Sequence, residues 1–320
     1  MNKKNMKTLR RLTGNGALSL VRLTTAVALI SAAAAIAFVA ASPASVFAND
    51  GAFDIDELSV DEENRFSNVG AFIVAVVDDS GNVVGLRAHC SGVLIHRRAF
   101  LTAGHCVGPG EFGVPPNVKL FVSLGADALD QSTWLAVTRV VPHPSLPPCP
   151  GPAGCDPTIG NVFHAGDPGI QDTGLVFLEQ PVLHIAPARL AAPSVLQRRK
   201  GAETPMTIVG YPKPSADAEE GDWDGLRRFR TSSLDMVLNE EWATWSLPSN
   251  LCFGDSGGPI LMDLHPGAQK ENEPLVANVS DGGIDCLSAN TNARLDTKAV
   301  RTWIKETIRE VLREEDEAED

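Results

Sequence analysis

From residue 66 onward the apolar runs of this 320-residue chain are short, and their brevity is what most constrains its fold. Ala71–Val77, Val83–Ala88, Gly92–Ile95, Val118–Leu124, Leu135–Val141, Gly174–Leu178, Met206–Val209, Asp235–Leu238, Pro259–Met262 and Leu275–Val279 are four to seven residues each. Most are separated by Gly, Pro, Asn or Ser, and Asp78-Asp-Ser-Gly-Asn82 between the first two is hairpin-turn chemistry. Many short strands with few helical windows predict an all-β chain of antiparallel barrels or sandwiches and exclude alternating βαβ units. Helical spacing appears only near the end, where Val300, Trp303, Ile304, Ile308, Val311 and Leu312 recur on one face. This predicts a C-terminal helix over about 299–313, followed by a solvated acidic tail over 314–320. No repeat, heptad or phosphate-binding glycine loop interrupts the pattern.

The N-terminus is built differently. A basic stretch from Met1 to Arg22, an uncharged apolar run from Leu23 to Ala41 and the small-residue sequence Ala44-Ser-Val-Phe-Ala48 describe an export signal over 1–48, cut after Ala48. Retained, the same segment would be a membrane anchor, and in either case the remainder lies outside the cytoplasm. Six of the 27 bases and none of the 40 acids fall in 1–48, which leaves 21 bases and a net charge of −19 in the rest. A body that acidic is a poor partner for a phosphate backbone, so no nucleic acid is expected. Residues 49–65, rich in Asp and Glu, read as a linker or propeptide. Six cysteines (90, 106, 149, 155, 252 and 286) in an exported chain imply disulfides, with 15 possible connectivities. There is no Cys-x-x-Cys pair, and no metal or cofactor is expected.

Three segments carry chemistry. Asn250-Leu-Cys-Phe-Gly-Asp-Ser-Gly-Gly-Pro-Ile260 surrounds a serine with glycines, which let the backbone turn sharply and its N–H groups converge beside the hydroxyl. Ala99-Phe-Leu-Thr-Ala-Gly-His-Cys106 delivers a histidine at the end of an apolar strand, next to a cysteine able to tie it down. Gln171-Asp-Thr-Gly-Leu-Val-Phe-Leu178 sets an aspartate at the head of another, whereas Asp167, the competing acid, runs into Pro168-Gly169. The remaining histidines, 89, 96, 143, 164, 184 and 265, have no comparable setting.

These segments, in the chain order His, Asp, Ser, resemble the trypsin/chymotrypsin family of serine proteases. Gly254-Asp-Ser-Gly-Gly-Pro259 matches the family's serine motif in full; Leu101-Thr-Ala-Gly-His-Cys106 departs from its histidine motif at Gly104, and the Asp172 segment is the loosest match. The resemblance covers about 66–313 and implies two six-stranded antiparallel barrels, about 66–185 and 186–298, with the site between them. It implies a protein or peptide substrate, with Ser256 as nucleophile, His105 as general base and acid, and Asp172 orienting the imidazole. Gly254 and Ser256 would donate the oxyanion-hole N–H groups, while Asn250, Ser280 and Gly282 would contact substrate. It also implies Cys90–Cys106 and Cys252–Cys286 bridges, and elimination leaves Cys149–Cys155.

Two departures bear on function. At the pocket floor, where trypsin-plan enzymes carry Asp, this chain has Asn250, which removes the charge that would select Arg or Lys. The Ile-Val-Gly-Gly terminus that pairs with the aspartate before the catalytic serine is missing, so Asp255 needs another cation or the loop must sit differently. The leading expectation is a secreted serine endopeptidase. The alternative is a weak or inactive homologue used as an extracellular binding module.

Overall fold

The computed structural model describes residues 53–108, 116–147, 164–199, 204–264, 270–288 and 290–319. The segment 1–48 and the Cys149–Cys155 pair lie outside the described residues. Among the described residues no helix is long and apolar enough to cross a membrane.

Two closed six-stranded antiparallel barrels with a C-terminal helix make up the fold, the all-β class that the short apolar runs predict in the form that the family resemblance implies. The first barrel consists of β2 (Val69–Val77), β3 (Val83–His96), β4 (Ala99–Thr102), β5 (Val118–Ser123), β6 (Trp134–Pro142) and β7 (Gly174–Leu178), closed in the order β2-β3-β4-β7-β6-β5. The β2–β3 hairpin turns at Asp78, whose Oδ1 accepts N–H bonds from Ser80 (2.9 Å) and Asn82 (2.8 Å). Phe72, Leu94, Phe100, Val122, Val176 and Leu178 fill its interior.

The second barrel consists of β8 (Pro205–Gly210), β9 (Arg228–Val237), β10 (Trp242–Trp245), β11 (Pro259–Met262), β12 (Leu275–Asp281) and β13 (Thr291–Arg294). Its order is β9-β10-β13-β12-β11-β8, closed by β8 on β9. Met206, Ile208, Trp245, Leu251, Ile260 and Val276 are among its core residues. A third apolar cluster, including Phe66, Leu101, Leu175, Tyr211, Leu261 and Leu275, joins the two barrels and receives Val300, Ile304 and Val311 of the C-terminal helix.

That helix, Lys298–Glu319, runs further than its apolar spacing suggests. Its acidic end is partly engaged: Glu314 pairs with Arg139 at 2.6 Å and Glu315 with Arg98 at 2.7 Å, both on the first barrel. The residues read as a linker also have a place. Phe53 and Leu58 are buried beside the Cys252–Cys286 bridge, and β1 (Ser59–Val60) pairs with β9 through Ser59↔Phe229 and Val60↔Arg228. Asp61 is fully buried against the fully buried Arg227, Oδ2 to Nε 2.9 Å, and accepts the N–H groups of Arg65 and Phe66. Acidity alone reads as a solvated segment, but this acid has a guanidinium waiting for it.

Removing one partner from such a buried pair leaves an uncompensated charge, which typically destabilises by about 3 kcal/mol or more. Asp61→Asn is therefore expected to lower the unfolding free energy by about 3 kcal/mol. Glu314→Gln, at the exposed Arg139 pair, should lower it by less than about 1 kcal/mol, both read from denaturant melts at neutral pH.

Candidate active site

The histidine arrives by way of β4. The chain leaves that strand at Thr102 and turns into the short helix α1 (Gly104–Val107), which carries His105. Cys106, one residue on, is bonded to Cys90 of β3. Cys90, His105 and Cys106 bring their donor atoms within 4.8 Å of one another, but the two sulfurs are bonded together and offer no thiolate to a metal.

Asp172 sits immediately before β7, the neighbour of β4, so the barrel itself brings it to the histidine. The carboxylate is fully buried and saturated with donors. Oδ1 accepts the backbone N–H of His105 at 2.8 Å, Oδ2 faces His105 Nδ1 at 2.8 Å, and Oδ2 also accepts the Ser280 hydroxyl from the end of β12. The Asp172 carbonyl takes an Asn278 amide N–H at 3.0 Å. Sequence reading named Ser280 only as a substrate contact; its side chain is turned onto the aspartate, which only the packing of one barrel against the other could reveal. With Nδ1 held by Asp172, the other imidazole nitrogen is left for a reacting group.

Ser256 lies in the loop that precedes β11. Its carbonyl accepts the Ser91 N–H at 2.8 Å and lies 3.9 Å from Cys106 Sγ, which places the serine backbone beside the histidine helix. Within this loop the N–H groups of Asp255, Gly257 and Gly258 donate to the carbonyls of Cys252, Val279 and Asp255. Among the described residues no acceptor meets the N–H of Gly254 or of Ser256, the two donors expected to form an oxyanion hole. Gly254 has φ +93°, and a Cβ there would stand 2.2 Å from His89 Nε2, so both conformation and space require glycine.

Behind the loop is a buried polar layer that sequence reading passed over. Asp255, fully buried, is met by Arg230 of β9, Nη2 to Oδ2 2.8 Å and Nη1 to Oδ1 3.4 Å, and by the Cys252 N–H at 3.0 Å. His89, set aside for want of context, is stacked on Trp223 at 3.7 Å between the Glu220 carboxylate (2.7 Å) and the Tyr211 carbonyl (2.9 Å). Glu220 in turn pairs with Lys213 at 2.8 Å.

Asn250 is half-buried with φ +46°, close in sequence to the Cys252–Cys286 bridge. Gly282 follows β12 and packs on Leu251, so that a Cβ at 282 would stand 2.3 Å from the Leu251 carbonyl oxygen. Asp281 is exposed at the strand end.

The electrostatics follow from these contacts. Burial by itself depresses the His105 imidazolium, but the Asp172 charge and hydrogen bond outweigh it and Asp281 adds to them, so the ring titrates above its ordinary 6.5. Burial by itself raises Asp172, yet the His105 charge and the bonds from His105 and Ser280 hold its carboxyl below the usual range. For Asp255 burial wins, and the carboxyl is pushed up against the pull of Arg230.

The comparisons with known proteins point one way. Residues 61–304, well over half the chain, match the family model described as Trypsin. The chain is 25% identical over 233 residues to "Serine protease SP24D" of Anopheles gambiae, across 69% of this chain and 72% of that protein.

His105 gains its proton affinity from two carboxylates of unequal exposure. A 15N–1H titration of the imidazole is expected to give a midpoint above 6.5 in the parent and a lower one in Asp281→Asn. Because the folded value is raised, the charged ring stabilises the fold fully below the unfolded midpoint. That contribution is lost as pH rises through the folded one.

Proposed function

The chain belongs to the trypsin-like serine protease family, and on that premise we propose that it is an exported endopeptidase working through Ser256, His105 and Asp172. The observation that carries the reading is the buried Asp172 holding His105 Nδ1 while the Ser256 loop is docked on the neighbouring Cys106. Export is supported by the Cys90–Cys106 and Cys252–Cys286 bridges, which persist in oxidising compartments. The same reading takes 1–48 as the signal and places the protease unit in the residues that follow.

The chemistry proceeds by general base catalysis. A serine hydroxyl is a weak nucleophile near neutral pH, so its proton must pass to an imidazole as the oxygen bonds to the scissile carbonyl carbon. His105 takes that proton on the nitrogen not held by Asp172, and the buried carboxylate stabilises the imidazolium that results. The carbonyl oxygen becomes an oxyanion, which the N–H groups of Gly254 and Ser256, without an acceptor among the described residues, would stabilise; one such donor is typically worth about 3 kcal/mol. The imidazolium then protonates the departing amine, leaving Ser256 acylated. Water, deprotonated by the same histidine, cleaves the ester and restores the hydroxyl.

Substrate choice is set by the floor and the walls. Asn250 offers an amide donor and acceptor without charge, which favours a neutral residue before the cut bond. Gly282 packs on Leu251 with no room for a side chain of its own, and the preferred residue is taken to be of small to medium size.

Ser256→Ala is expected to lower kcat roughly 10⁶-fold, and adding His105→Ala should cost little more because the groups act as a unit. Failure of a fluorophosphonate to label Ser256 in the folded parent would refute the endopeptidase reading. Asn250→Asp should raise cleavage after Arg and Lys through a charge-assisted bond, read from a peptide library. A strict Arg/Lys preference in the parent, unchanged by the substitution, would remove Asn250 as selector.

A further inference from the structure

We propose that this chain is competent without proteolytic release of a new N-terminus: Arg230 supplies from within the fold the cation that orders the Ser256 loop, and the segment from residue 53 to 66 stays attached in the working protein. The proposal rests on the endopeptidase reading and goes beyond it by naming how the site is kept in its working shape.

The first support is that the buried carboxylate before Ser256 already has its partner. Both oxygens of Asp255 face Arg230, at 2.8 and 3.4 Å, and Oδ2 also takes the Cys252 N–H. Gly210 packs against the same carboxylate, so closely that a Cβ there would stand 2.2 Å from Oδ1. Little room is left beside it for an ammonium brought in from a chain end. The consequence for the loop is direct: Asp255, tied on one side to β9 and on the other to the Cys252 N–H, fixes the backbone on which the Gly254 and Ser256 N–H groups sit. Arg230 touches no reacting atom and is a positioning residue.

The second support is independent and concerns the chain that enters the first barrel. The peptide between Arg65 and Phe66 is the basic cut site nearest to β2, and it is not presented for cleavage. The Arg65 and Phe66 N–H groups are held by Asp61 at 2.8 and 3.1 Å, and Phe66 is 1% exposed. Arg227 clamps the same stretch from the other side. It pairs with Asp61, donates to the Val69 carbonyl at 2.7 Å and bonds the Asn64 side chain. Upstream, Ser59–Val60 is a strand on β9. Proteases cut exposed, mobile backbone, and this stretch has its Arg65 and Phe66 N–H groups engaged and the Phe66 side chain buried. The same β9 region that supplies Arg230 thus also holds the segment whose cutting would otherwise create a terminus.

The exported chain, its N-terminus read by mass spectrometry, is reacted with a fluorophosphonate. The parent still carrying residues 53–65 should label, and Arg65→Gln should label at the parental rate. Arg230→Gln should slow labelling and lower kcat by roughly 100-fold, the scale of losing an oxyanion donor, and Arg230→Lys should recover part of it. Hydrogen exchange at the amides of 252–258, measured in a Ser256→Ala background, should quicken in Arg230→Gln and not in Arg65→Gln. Labelling that appears only after a cut between residues 61 and 69 would overturn the proposal, as would parental labelling by Arg230→Gln. If no form labels while loop protection still depends on Arg230, the endopeptidase reading fails and the ordering role of Arg230 stands.

Discussion

Among the described residues four aspartates, 61, 172, 255 and 296, are fully buried, and the arrangement of the molecule follows from the need to satisfy them. A carboxylate taken out of water loses several kcal/mol of solvation, so each must find a cation or several donors before the interior can close. The partners come from afar in sequence: Arg227 for Asp61, His105 and Ser280 for Asp172, Arg230 for Asp255. Asp296 pairs with its neighbour Arg294 and takes the distant Leu196 N–H. Such pairs are weak evidence for stability, since an apolar substitute of equal shape can do as well. What they do exclude is any fold in which the partner is missing.

The strand β9 concentrates this constraint. Arg227, at its entry, serves the N-terminal segment; Arg228 bonds Asp224 at 2.7 Å; Arg230 serves the Ser256 loop. Side chains alternate along a strand, so a one-residue slip would exchange these faces and strand at least two guanidinium groups away from their acids. The pairings Val209↔Phe229 and Val60↔Arg228 are thereby specified by charge as well as by apolar packing. From β9 the order passes to Asp255, from Asp255 to the loop backbone, and from there to the N–H groups of Gly254 and Ser256, which meet no acceptor among the described residues.

The all-β class was legible in the sequence because short β-branched runs between turn residues have few alternatives, while the two barrels followed from the family resemblance, which the motifs around His105, Asp172 and Ser256 carry by occurring together in that order. Other parts were not. The strand Thr291–Arg294 contains no apolar run, yet Asn292 is buried and accepts the Ser280 N–H, a polar residue placed inside for a backbone partner that sequence cannot name. Arg230 carries no motif. Its pairing with Asp255 depends on a barrel closing, and the only signal was negative: a buried acid with no expected cation. His89 was passed over for the same reason, since its meaning lies in Glu220 and Trp223, more than a hundred residues away. Position in the chain marks the reacting groups, while three-dimensional closure chooses the groups that hold them.

The identity of each aspartate's partner decides what that pair can do. Asp61, Asp255 and Asp296 face arginines, whose guanidinium stays charged at any pH a folded protein meets, so the partner in each of these bridges carries a fixed charge. Asp172 faces a histidine, which gains and loses a proton within the physiological range. Its carboxyl is itself held below the usual range by that ring and by Ser280. Replacing His105 by arginine would keep the ion pair and remove the titratable ring; replacing Arg230 by histidine would make the shape of the loop depend on pH. The same electrostatic solution to burial therefore sets a carboxylate against a fixed charge in three places and against a titratable ring in one. The difference lies in a single property of the partner, the ease with which it gives up a proton.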